Sequence, residues 1–383
     1  MLIQSIQESF IKHFSKNPLL YASPGRINLI GEHTDYNDGF ALPGAVDKQI
    51  VFALQTNDAD EYRFYAKDLD ESFSVSRRNW QKSDVHWANY LLGVIHQFKK
   101  MRLNVPGFDC VFGGDIPQGA GMSSSAALET GLAYALNDIF EFLLPKSTLA
   151  KVAQEAEHEF AGVQCGIMDQ FAALYGKKDH LLRLDCQNLE FEYFPLRLET
   201  HTLLLVNSGV KHELAASEYN QRRRECDEAL EILKTLGSGI KSLRHVSMSL
   251  LEVGKEYMDK MLYMRSRFVL EENERVLQTA QALSEGDTET VGRLMFQSHY
   301  GLRDLYEVSC PEIGRLIQLS EKIPGVTGAR MMGGGFGGCT LNFVKKDAAE
   351  NFKSEILSGY KTPSGEAPEI YEVKLSDGTR RIG

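Results

Sequence analysis

Residues 24–39 read Pro24-Gly-Arg-Ile-Asn-Leu-Ile-Gly-Glu-His-Thr-Asp-Tyr-Asn-Asp-Gly39. An apolar, strand-like run carrying one arginine gives way to Glu32, His33, Thr34, Asp35, Tyr36, Asn37 and Asp38, seven polar side chains at consecutive positions. One turn needs fewer. Donors and acceptors crowded in this way suit a polyhydroxylated ligand, because a site built to hydrogen-bond hydroxyls rejects analogues that lack them. A solvated loop is the plain alternative. Glu32-His33 is not a zinc-helix motif, since no second histidine follows at the required spacing.

Two glycine-dense stretches lie downstream. Gly113-Gly-Asp-Ile-Pro-Gln-Gly-Ala-Gly-Met-Ser-Ser-Ser-Ala-Ala-Leu128 reads as a strand, a loop of small residues, and three serines entering a helix. Glycines let backbone N–H groups approach a ligand, serines can satisfy the free donors of a first helical turn, and the helix N-terminus carries partial positive charge. Together these make an anion site suited to phosphate. An ordinary loop with a serine cap is the alternative. Neither the Walker A nor the dinucleotide fingerprint fits, because no Gly-Lys-Ser/Thr occurs and Ser124 stands where a third glycine would be needed. Gly333-Gly-Gly-Phe-Gly-Gly338, between strand-like residues, marks either a close approach of chain or ligand to the backbone or a simple hairpin turn.

A third signal is charge in apolar surroundings. Asp169, within Cys165-Gly-Ile-Met-Asp-Gln-Phe171, is costly unless paired or used, and Arg26 is its natural partner. A purely structural ion pair is the alternative. From Ser147 to Phe160 the helical period places Glu157 on or beside the buried stripe of Leu149, Val152, Ala153, Ala156 and Phe160, whereas Glu155 and Glu159 face solvent.

The 383 residues suggest two or three domains with a sizeable core. A net charge of −10, from 42 basic and 52 acidic residues, leaves no electrostatic footprint for nucleic acid or anionic lipid, so phosphate must be bound locally. Six cysteines without a CxxC pair read as reduced thiols of a cytosolic protein. Leu2, Ile6, Phe10 and Phe14 form the apolar stripe of a docked helix rather than a signal peptide, and no window is long enough to cross a bilayer, so a soluble, cytoplasmic protein is expected. Strand patterns at Gln49–Thr56, Cys110–Gly113, Leu181–Asp185, Thr202–Asn207, Ala329–Met332, Cys339–Val344 and Ile370–Leu375 alternate with helices. A long charged helix is expected over Glu218–Leu236, and a helix break near Ser284-Glu-Gly-Asp. With no low-complexity linker, two closely packed α+β domains, residues 1–180 and 181–383, are expected.

Taken together, Gly25–Tyr36, Gly119–Ala127 and Gly328–Gly338, in that order, resemble the three motifs of the GHMP sugar and metabolite kinases, and the first resembles that of their galactose-phosphorylating branch. Met122 and Ser23 stand where that family usually has leucine and alanine, both volume-tolerant changes. The resemblance implies a two-domain α+β fold with an N-terminal lobe like domain 2 of ribosomal protein S5, containing a left-handed βαβ element, and a ferredoxin-like C-terminal lobe. It implies transfer of the ATP γ-phosphoryl group to the anomeric hydroxyl of D-galactose, with Asp169 accepting the proton and Arg26 neutralising charge on the transferring group. Glu32, His33, Thr34, Asp35, Gly166 and Tyr219 would bind the sugar. Gly119, Ala120, Gly121, Met122, Ser123, Ser124 and Ser125 would bind ATP, and Ser125 and Glu157 would hold Mg²⁺. For Tyr219, on one helical face with Cys226, Leu230 and Leu233, a core role is the alternative, as it is for Trp87 and Tyr90, which fall where the family has aromatics near adenine. The implied partners are D-galactose and ATP, with no nucleic acid, membrane or second copy of the chain. A kinase for another sugar, such as N-acetylgalactosamine, or a sugar and ATP sensor without catalysis are the competing functions.

Overall fold

The computed structural model describes residues 2–117, 119–196, 198–210 and 215–382. Gln118 of the serine loop therefore lies outside the described residues. In chain order the first half runs α1 (Leu2–Phe14), β1 (Leu19–Asn28), β2 (Phe40–Ala41), β3 (Pro43–Thr56), β4 (Glu61–Ala66), β5 (Glu71–Ser76), α2 (His86–Lys100), β6 (Phe108–Gly114), α3 (Ser124–Ile139), α4 (Lys146–Ala156) and α5 (Met168–Tyr175). There follow β7 (His180–Asp185), β8 (Phe191–Pro195), β9 (His201–Asn207), α6 (Ala215–Leu236), α7 (Met248–Gly254), α8 (Lys260–Glu285), α9 (Thr288–Asp304), α10 (Pro311–Ser320), β10 (Val326–Met331), β11 (Cys339–Lys345), α11 (Ala349–Gly359), β12 (Ile370–Val373) and β13 (Arg380–Arg381).

A six-stranded sheet in the order β13-β1-β3-β6-β4-β5 carries the first half, antiparallel except where β4 runs parallel to β6. Strands β1 and β3 are buried over most of their length because helices cover one face and α1 docks Ile6 and Phe10 on the other, against Val51, Ala53 and Val111. Strands β2, β7 and β8 form a small separate sheet. In the second half, four antiparallel strands in the order β10-β11-β9-β12, with α9 and α11 in the crossovers, make the ferredoxin-like arrangement. The expected helix break falls at Gly286, whose positive φ ends α8, after which Asp287 accepts from the Thr290 N–H to start α9.

One apolar core joins the halves: Ile27, Leu29, Ile30, Ala120 and Met122 pack with Leu205, Val276, Met332 and Leu341. That shared core brings the loops after β1, β6 and β10 to a common cleft.

Candidate active site

Strand β1 aims the first functional side chain. Its pairing with β3 slips between Pro24 and Arg26, and such a bulge turns a side chain out of the regular alternation. Arg26 then meets Asp169, in the first turn of α5, through two parallel bonds: Nε to Oδ1 and Nη2 to Oδ2, both 2.7 Å. This is the bidentate fork that a planar guanidinium makes with a carboxylate. The arginine side chain is 5% exposed and the aspartate 21%, so the aspartate is the member open to the cleft. Burial works against the charge on Arg26, but Asp169 and then Glu32 outweigh it and hold the guanidinium charged.

The serine loop is tied to the same strand, since the Arg26 N–H donates to the Met122 carbonyl (3.1 Å) and Arg26 Nη1 donates to the carbonyl of Gly121. Gly121 adopts φ +69°, a backbone conformation glycine accepts freely. The serines do not cap α3 as expected. Ser123, the residue before the helix, is itself left-handed (φ +53°) and makes no capping bond; its hydroxyl donates to Asp169 Oδ2 instead. No serine side chain therefore occupies the first turn from the capping position, which keeps the N-terminus of α3 available to an anion. Ala120 also departs from expectation, because it points into the shared apolar core rather than the cleft.

The polar loop after β1 is organised by the second half of the chain. Glu32 Oε1 accepts from the Gly333 N–H (2.7 Å) and from Arg330 Nη1 (3.3 Å). His33 takes φ +61°, and its Nε2 faces the Gly334 carbonyl at 3.2 Å. Burial pulls its imidazole down to about 3, so it is neutral. Asp35 accepts from the backbone N–H of Tyr36 (3.0 Å) and of Met168 (3.4 Å), and burial, then the charge of Asp169, push its carboxyl up to about 6. Gly166 explains its own identity here: a Cβ at that position would overlap the Asp35 carboxylate. Thr34 does not line the cleft. Its hydroxyl is shared between the carbonyls of Gly31 (2.9 Å) and Phe40 (2.7 Å), so it holds the loop's shape.

Glu157 is buried where α4 widens into a π-helical turn over Glu157–Ala161, a feature common at functional sites. Ser125 and Cys165 hydrogen-bond its carboxyl, and burial followed by the charge of Asp169 pushes it up to about 7. Among the described residues no group of three or more His, Cys, Asp or Glu could cage a metal. A buried carboxylate beside a serine hydroxyl nevertheless fits Mg²⁺, which takes few protein oxygens and fills its shell with substrate phosphates and water.

Arg26, Glu32, His33, Asp35, Gly119, Gly121, Met122, Ser123, Ser124, Ser125, Glu157, Gly166, Asp169 and Tyr219 all line one cleft of about 390 Å³, closed on its far side by Gly333, Gly334 and Gly335. Ser124 and Ser125 also line an adjoining cavity of about 320 Å³ with His86, Trp87 and Tyr90. Four participants escaped the sequence reading: Arg330, Glu129, Gln170 and Cys165. Gln170 Nε2 donates to Glu157 Oε2 (2.8 Å), and behind it Glu129 is fully buried, its carboxyl driven well above the usual range by burial and by Glu157. Each of the charged two is a lone ion in an apolar run, the signal that singled out Arg26 and Asp169.

Comparison with known proteins agrees with this geometry. Residues 8–56 match the galactokinase galactose-binding signature, residues 89–177 the GHMP kinases N terminal domain and residues 279–362 the GHMP kinases C terminal domain. The galactokinase of Thermotoga petrophila is 46% identical over 363 residues, covering 94% of this chain and 99% of its own. That of Roseiflexus sp. (strain RS-1) is 40% identical over 378 residues, covering 98% and 96%. The crystal structure of Lactococcus lactis galactokinase complexed with galactose superposes with a TM-score of 0.95 at 31% identity, covering 100% of both chains. With relatives this similar along nearly all of its length, the chain belongs to the galactokinase family, the ATP-dependent sugar kinases of the GHMP fold.

Proposed function

We propose that transfer of the ATP γ-phosphoryl group to the anomeric hydroxyl of D-galactose takes place in the 390 Å³ cleft, giving galactose 1-phosphate and ADP. The observation that carries the assignment of roles is the bidentate Arg26–Asp169 pair standing between the polar loop and the serine loop. Asp169 accepts the proton of the anomeric hydroxyl. That oxygen bonds to the γ-phosphorus while the bond to the β–γ bridging oxygen breaks, and ADP leaves with the electron pair. Arg26, fixed on Asp169, offsets the negative charge of the transferring group, and Ser123 holds the second carboxylate oxygen.

Glu32, His33, Asp35, Gly166 and Tyr219 form the sugar side of the cleft. Thr34 is omitted because its hydroxyl is spent on the loop's own backbone. The phosphates lie over Gly119–Ser125, and the adenine enters the cavity beside Trp87 and Tyr90, where Trp87 Nε1 is held by Glu71 (2.6 Å). Ser125 and Glu157 hold Mg²⁺, which when bound supplies charge stabilisation to the phosphates. The two lobes divide near residue 180, into 1–180 and 181–383, with the β7–β8 hairpin and β13 pairing back onto strands of the first lobe. The enzyme acts as a cytoplasmic monomer; among the described residues no helix is long and apolar enough to cross a membrane.

ADP release from Mg·ATP tests the assignment. Galactose is expected to trigger release and glucose scarcely any. Binding of galactose without ADP release would make the protein a sensor, and equal release with N-acetylgalactosamine would overturn the substrate assignment.

A further inference from the structure

The wall of the sugar site contains a line of hydrogen bonds that the reaction itself does not use. It runs from Cys226 Sγ to Tyr306 Oη (3.1 Å), on to Tyr36 Oη (2.7 Å), and on to His33 Nδ1 (2.7 Å); the far ring nitrogen of His33 faces the Gly334 carbonyl at 3.2 Å. Cys226 and Tyr306 are buried in the core of the second half, whereas His33 lines the cleft. The chain thus reaches from a packed interior to the ligand.

Its direction follows from donor and acceptor chemistry once burial keeps the imidazole neutral. A carbonyl can only accept, so His33 Nε2 carries the ring proton. In a neutral ring Nδ1 is then a lone pair, and the group that meets it is the Tyr36 hydroxyl, which must donate. The Tyr36 oxygen is left to accept from Tyr306, and the Tyr306 oxygen to accept from Cys226. Every link points toward the sugar, and links aligned in one sense polarise each other. The ring is also held in place between Tyr219 (5.1 Å between centroids) and Tyr306 (4.8 Å).

We infer that Tyr36 and Tyr306 are positioning residues that fix His33 as its Nε2–H tautomer, so that the site offers the sugar a donor and never an acceptor at that point. The inference rests on the assignment of the polar loop to the sugar. The 3.2 Å contact with Gly334 is the longest of the His33 bonds, and a sugar oxygen that accepts from Nε2–H can replace or share it. Tyr36 and Tyr306 discriminate without touching the ligand: a substrate group able only to donate at that position meets another donor.

Two measurements on the full-length protein test this. Long-range proton–nitrogen NMR of histidine-labelled protein should show His33 protonated at Nε2 and bare at Nδ1, with the Nδ1 resonance displaced in Tyr36→Phe. Calorimetric titration should show the galactose dissociation constant of Tyr36→Phe raised about tenfold and that of Tyr306→Phe about threefold, with ATP affinity unchanged in both, as expected when a buried acceptor loses its donor. A protonated Nδ1 would overturn the chain. Unchanged galactose affinity in Tyr36→Phe, with the tautomer as stated, would overturn the positioning role and leave only packing. If saturating galactose leaves the His33 nitrogen resonances unmoved, the sugar-site assignment fails instead.

Discussion

Asp35→Asn removes one negative charge from a site where Asp35, Asp169 and Glu32 lie close enough to act on one another. Moving the carboxyl from 3.8 to about 6 corresponds to about 3 kcal/mol against its charged form, at 1.36 kcal/mol per tenfold. The asparagine escapes that cost but keeps a single acceptor oxygen where the carboxylate received the N–H groups of both Tyr36 and Met168, which returns about 1 kcal/mol. The net gain at neutral pH is about 2 kcal/mol, or roughly 2–3 °C in Tm for a chain of this length unfolding as a unit. The sign depends on pH. Because the folded protein binds this proton more tightly than the unfolded chain, the native protein loses stability as pH rises from about 4 through 6, and the variant does not. Scanning calorimetry at about pH 8 should therefore find Asp35→Asn the more stable protein, with almost none of the advantage left at about pH 4.5, where the electrostatic gain has fallen to about the 1 kcal/mol lost with the acceptor. Its galactose affinity should fall, since the stabilising change removes an acceptor for the sugar. A variant less stable than the native protein at pH 8, or an advantage that does not vary with pH, would refute the electrostatic reasoning.

Other substitutions probe neighbouring parts of the cleft. Asp169→Asn should lower kcat by at least about 10²-fold in the ADP-release assay while galactose affinity changes by less than about threefold, and retention of most of kcat would show that Asp169 is not the base. Gly166→Ala should raise the KM for galactose about tenfold or more with little change in the KM for ATP, because the added methyl displaces Asp35; equal effects on both would point to a general disruption of the cleft. Glu157→Gln should raise the Mg²⁺ concentration needed for half-maximal rate by about 10–100-fold, and an unchanged requirement would remove Glu157 from the metal site.

Much of this site could be read from residue order because ions in apolar runs are expensive. Arg26 between Pro24 and Leu29, and Asp169 between Ile167 and Phe171, stand out for that reason, and they prove to be each other's partner. Glu157 is legible from the helical period, although the π-turn that holds it packs against α2 and leaves no mark in the local sequence. Thr34 shows where counting polar groups stops: crowding announces a site but does not tell which side chains face inward. Ser123 illustrates a similar limit, since a serine before a helix looks like a cap until a carboxylate distant in sequence claims its hydroxyl. The direction of the Cys226–Tyr306–Tyr36 line is beyond sequence reading altogether, because its members are 270 and 80 residues apart.

Strand β13 has a consequence for biogenesis. Two residues, Arg380 and Arg381, pair with Ala22 and Tyr21 respectively, and Thr379 shares a hydrogen bond with Ser23 across a separation of 356 residues. The edge of the first sheet is therefore left uncovered on the ribosome while the whole second half is made. A chain in that state carries an open strand beside an apolar core, and pairings this distant in sequence form slowly. Nascent chains that stall or are clipped before residue 379 should be the ones that chaperones and proteases meet, even though every residue of the cleft has already been synthesised.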